Sequence, residues 1–97
     1  MTRTVDLKRQ LVEHFIEELP VIRAKGRLSQ ETVAEKIGVS RQTYSTIETG
    51  KREMTWTMFM ATVAFFQNIE QTKGFLNQVI DMNTLETILT AKDSENK

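Results

Sequence analysis

An all-α fold of five or six short helices is what the sequence predicts, on three observations. The composition favours helix formers, with one proline and four glycines. Apolar residues recur at three- and four-residue steps along most of the chain. Cap and stop residues punctuate those runs. Ninety-seven residues suit a single core with no second globular unit and little room for a deep catalytic cleft. A hydrophobic fraction of 39% with 27% charged residues suits a globular body rather than a disordered chain.

The first helix is expected over 5–19, where Leu7, Leu11, Val12, Phe15, Ile16 and Leu19 form one apolar face between Lys8, Arg9, Glu13 and Glu17. Pro20 lacks an amide hydrogen and crowds the preceding turn, so this helix should stop or kink there and a second should run over 20–25. Gly26 is expected to end it. Ser29 is a good N-cap for a helix over 30–37, with Glu31 in the first turn where the dipole favours an anion. Gly38 stops that helix, and Ser40 caps the next over 41–49, which buries Tyr44 and Ile47. Two short helices joined by Gly38, Val39 and Ser40 carry the pattern of a helix-turn-helix, spanning about 28–50. Thr55 can cap a densely apolar helix to Gln67, and further helices are expected over 71–82 and 85–91. The organisation that follows is an N-terminal amphipathic helix over 1–19, a core over 20–68, C-terminal helices over 69–92 and a disordered tail over 93–97.

The apolar runs fall far short of the roughly 20 residues that cross a bilayer, and the N-terminal segment lacks the apolar stretch and cleavage site of a signal peptide. A cytoplasmic protein with no membrane partner is the expectation. The absence of cysteine excludes a disulfide framework, a thiolate nucleophile and Cys-based metal sites, and His14 is the single histidine, so no metal site is expected. Ser29 and Ser40 read as caps rather than nucleophiles. Carboxylate pairs such as Glu17 with Glu18 or Glu31 with Glu35 lie on exposed faces without a nucleophile or phosphate loop beside them, so no enzyme, catalytic residue or cofactor is expected. Trp56, Met58, Phe59, Phe65 and Phe66 at helical spacing read as core, with enough excess to permit a dimer seam.

Net charge is zero, which weighs mildly against a nucleic-acid partner until the charges are placed. Residues 21–52 hold Arg23, Lys25, Arg27, Lys36, Arg41, Lys51 and Arg52 against only Glu31, Glu35 and Glu48, whereas residues 53–97 are acidic on balance. A basic middle joined to an acidic end suits one surface that meets DNA and another that faces elsewhere.

The run from Leu28 to Arg52, Leu-Ser-Gln-Glu-Thr-Val-Ala-Glu-Lys-Ile-Gly-Val-Ser-Arg-Gln-Thr-Tyr-Ser-Thr-Ile-Glu-Thr-Gly-Lys-Arg, resembles the helix-turn-helix of phage-repressor/Cro-like (Xre-type) regulators, many of them small bacterial proteins. The resemblance covers about 20–66 and implies a lambda-repressor-like DNA-binding fold with an extra N-terminal helix. It places base-contacting positions on Arg41, Gln42, Ser45 and Thr46, and phosphate contacts on Gln30, Lys51 and Arg52. Ser40 and the Tyr44 hydroxyl are added as phosphate candidates. Arg23 and Glu48 match a structural ion pair of the family. Two departures stand out: Arg27 occupies a place where relatives carry Gly, and Tyr44 one where they carry an aliphatic residue.

The chemistry agrees, since Arg can pair with guanine and Gln with adenine in the major groove, each pair worth roughly 1–3 kcal/mol of discrimination. The function expected is a sequence-specific regulator of transcription, a repressor, bound to double-stranded DNA as a homodimer on a palindromic operator. Phe75, Leu76, Val79, Ile80, Leu85, Ile88 and Leu89 form the first candidate dimer surface, and the N-terminal helix the second. The alternatives are an antitoxin that also covers a toxin protein, and an interaction module that has lost DNA binding.

Overall fold

A computed structural model describes residues 3–91, and all six of its regular elements are helices. They are α1 (Thr4–Gly26), α2 (Gln30–Ile37), α3 (Arg41–Glu48), α4 (Trp56–Gln67), α5 (Glu70–Val79) and α6 (Met82–Thr90). The expected tail over 93–97 lies outside the described residues.

The expected helices over 5–19 and 20–25 are one element, because α1 runs unbroken through Pro20. Pro20 is exposed, so its ring projects away from the core, and the helix forgoes one amide hydrogen bond at that turn. What holds α1 together across the proline is burial: Phe15, Leu19 and Ile22, spaced at four and three residues, are fully inaccessible on its inner face. Gly26 is the last residue of α1, but it does not take the left-handed cap conformation. Arg27 does, at φ 56° and ψ 45°, and the Leu28 amide closes onto the Arg23 carbonyl at 2.9 Å. Gly26 serves proximity instead. A Cβ there would lie 2.9 Å from both Leu28 Cδ1 and Thr72 Cγ2, so its lack of a side chain lets α1 approach α5.

The core is built around Phe15, whose ring meets Phe59 edge-on at 5.2 Å and Phe66 at 6.4 Å. Thr72 is buried beside them and satisfies its hydroxyl by donating to the Phe66 carbonyl at 2.7 Å. The last two helices start and stop differently from the expected 71–82 and 85–91. Ile80 turns extended, and the Asp81 carboxylate accepts from the Asn83 and Thr84 amides, so a strong N-cap restarts the chain as α6 at Met82.

This arrangement alters the first candidate dimer surface. Leu76, Val79, Ile80, Leu85 and Ile88 are all buried within the chain's own core, chiefly against α1, and of the seven residues only Phe75 and Leu89 remain accessible. The apolar face that a sequence pattern reveals is the same whether a chain covers it or a partner does.

Candidate nucleic-acid interface

The helix pair that would meet DNA is shaped by three small features. Ser29 and Ser40 cap α2 and α3, each hydroxyl accepting from the amide three residues on at 3.0 Å. Gly38 takes φ 85°, a conformation a side chain resists, and its amide and that of Val39 both close onto the Ala34 carbonyl. Ala34 is 1% exposed where α2 and α3 cross, so a larger side chain has nowhere to go. Val33, Tyr44 and Ile47 fill the space behind, and Val39 packs on the core from the turn.

The other side of α3 is accessible. Arg41, Gln42, Ser45 and Thr46 line one shallow open depression, with Arg41 and Gln42 exposed and Ser45 and Thr46 half-buried. Among the described residues, no side-chain hydrogen bond or ion pair engages Arg41 or Gln42, so their donors need no release before they act. The Thr46 hydroxyl is committed as a donor to the Thr43 carbonyl at 2.8 Å, which leaves its oxygen as an acceptor. Lys51 and Arg52 stand exposed just beyond α3, where their amides fold back onto the Thr46 carbonyl at 2.9 and 3.2 Å.

Behind α3 lies a saturated polar cluster centred on Glu48, whose side chain is 5% exposed. Arg23 grips it in bidentate fashion, Nε donating to Oε2 at 2.8 Å and Nη2 to Oε1 at 2.9 Å. Gln30 Nε2 donates to Oε1 at 2.9 Å, and the Tyr44 hydroxyl to Oε2 at 2.8 Å. Each oxygen therefore holds two donors, and three helices are tied at one carboxylate. Arg23 also donates to the Leu28 carbonyl, which secures the entry to α2. Burial alone would raise the Glu48 pKa, but the donors from Arg23, Gln30 and Tyr44 outweigh it and hold the carboxyl below its ordinary value. The tyrosine shifts upward, first through burial and then through its bond to the Glu48 carboxylate. Arg23 is also pushed up, by its hydrogen bonds to Glu48.

One expected site residue is corrected. Tyr44 is fully buried with its hydroxyl spent on Glu48, so it does not face a phosphate. Residue-type reasoning saw a hydroxyl near the motif surface; the four-residue step from Tyr44 to Glu48 on one helix was the available signal that the partner is internal. Gln30 braces α3 through Glu48 while keeping a second amide hydrogen, and Ser40 remains exposed as a cap.

No curated protein and no solved structure matches the chain. A helix-turn-helix family profile does match, over residues 22–55, roughly a third of the chain. That span opens at the last turns of α1, closes at the cap of α4, and contains the whole Glu48 cluster together with the accessible face of α3. The match supports the resemblance of residues 22–55 to phage-repressor/Cro-like (Xre-type) helix-turn-helix domains, which are DNA-binding regulatory domains.

Proposed function

We propose that the protein is a cytoplasmic transcriptional repressor that reads a palindromic operator as a homodimer. The observation that carries this reading is the accessible row of Arg41, Gln42, Ser45 and Thr46, with Arg41 and Gln42 unengaged, on a helix whose opposite side is clamped at Glu48. A rigid helix bearing free bidentate donors is what base readout in the major groove requires. Arg41 and Gln42 read base edges, with Ser45 and Thr46 as shorter partners. Gln30, Ser40, Lys51 and Arg52 meet phosphates and set the register without reading sequence. One such helix offers too few base contacts to stand out among genomic competitors, so two copies bind half-sites about 34 Å apart.

Selection of bound sites from a random duplex library tests this directly. Enrichment of a motif with two inverted half-sites is expected, and its absence overturns the reading. Replacing Arg41 and Gln42 together by Ala removes the sequence preference while weaker binding to all DNA persists. Lys51→Ala or Arg52→Ala lowers affinity for every duplex and flattens its salt dependence by about one ion per charge removed. Unchanged selectivity in the Arg41 and Gln42 variant favours instead a module that has kept the fold for protein contacts, in line with the zero net charge.

A further inference from the structure

We propose that the groove between the first half of α1 and the start of α4 is the surface through which two copies of the chain associate, meeting across a two-fold axis. The proposal deepens the dimer reading above and rests on it.

The groove encloses about 290 Å³ and has an apolar floor of Val12, Ile16, Met54 and Trp56. That volume lies at the bottom of the range that holds drug-sized ligands, and the groove is open, so it suits inserted side chains better than an enclosed small molecule. Its main aromatic is already fixed in place. Trp56 stacks on Phe59 at 4.9 Å and 23°, and Lys8 Nζ sits 5.1 Å above its ring. A tryptophan held by Phe59 and Lys8 yet still partly accessible loses little freedom when covered, as the anchors of protein interfaces require. Val5, 52% exposed, extends the apolar stripe of Val12 and Ile16 towards the N-terminus at helical spacing.

The rim identifies the occupant. Lys8 and Arg9 lie on one turn of α1, and Glu13 on the next, with Glu53 opposite. DNA is disfavoured there by the two carboxylates, and the groove shares no residue with the α3 depression. A rim with both signs one turn apart is complementary to itself. An isologous contact brings residue i to j and j to i. Two antiparallel α1 helices that cross midway between Arg9 and Glu13 place each Arg9 against Glu13 of the partner subunit, twice for one geometry. Among the described residues Arg9 pairs only with Asp6, at an exposed 3.0 Å contact of small worth, and no ion pair engages Glu13.

The test is the oligomeric state of the full chain at micromolar concentration, followed by sedimentation and light scattering, with circular dichroism to confirm that each variant is folded. The wild type is expected to be a dimer. Arg9→Glu alone and Glu13→Arg alone each set like charges in apposition twice and should raise the dimer dissociation constant at least tenfold. Mixing the two single variants should restore a dimer containing one of each, and the double variant should dimerise with itself. A wild-type dimer that neither substitution weakens overturns this surface and leaves the operator dimer standing. Weakening without rescue on mixing overturns the antiparallel pairing. A wild type that stays monomeric both free and on operator DNA overturns the dimer reading itself.

Discussion

Glu48 shows how one side chain can set the orientation of α3 and the pH range in which it holds. The carboxylate is the acceptor for Arg23, Gln30 and Tyr44, so protonating it weakens every tie at once. Its folded pKa is depressed, so the stability it contributes is present above the ordinary 4.5 and is lost as pH falls through the folded value. Tyr44 acts at the other end. Its folded pKa is raised, so its contribution is complete below the ordinary 10.0 and declines as pH climbs beyond that. Stability followed by urea unfolding should therefore be flat between about pH 5 and 9 and fall on both sides. Tyr44→Phe keeps the ring but removes one donor, and should cost about 1–2 kcal/mol at pH 7. The same variant should flatten the alkaline fall, because the titrating hydroxyl is gone; an unaltered alkaline limb would assign that limb to another group.

At the scale of the element, α1 carries two local conflicts that packing overrides. Pro20 sits in the interior of a helix, and Arg27 holds a left-handed conformation that costs a non-glycine residue roughly 1–2 kcal/mol. Both are exposed, so neither is forced by its own side chain. Arg27→Gly should relieve the strain and stabilise the protein by about 1 kcal/mol in thermal or urea melts, offset in part by the greater freedom of glycine in the unfolded chain. Gly26→Ala should do the reverse despite the higher helix propensity of alanine. Its Cβ would press on Thr72, whose hydroxyl is anchored to the Phe66 carbonyl, and overpacking of this kind costs typically 1–3 kcal/mol. A melting temperature higher for Gly26→Ala than for the wild type would show that α1 and α5 can separate there at little cost. Adjacent residues thus respond in opposite directions, one through backbone conformation and the other through helix proximity.

Across the whole molecule, the C-terminal helices stabilise α1 rather than waiting for a partner. Leu76 is fully buried where α5 meets α1, and Leu76→Ala should cost about 2–5 kcal/mol while leaving the oligomeric state of the folded protein unchanged. A variant that keeps wild-type stability but loses dimers would instead restore α5 as the interface. Because α1 packs on α3, α4, α5 and α6, damage at the far end of the chain should also loosen α3, through the Arg23 grip on Glu48.

Local patterning was enough for the helices around the motif, where Ser29, Ser40 and Thr55 each act on amides three residues away and Gly38 acts on its own φ. Such effects reach no further than a turn, so a linear reading captures them. The ion pair of Arg23 with Glu48 was legible only through family resemblance, since 25 residues separate the partners. The continuity of α1, the inward turn of the Tyr44 hydroxyl and the burial of the C-terminal apolar face depended on what lay opposite each of them in space. Periodicity marks that a face is apolar, and a hydroxyl marks that a group can bond; which surface covers the one and which acceptor meets the other is decided only when distant segments pack.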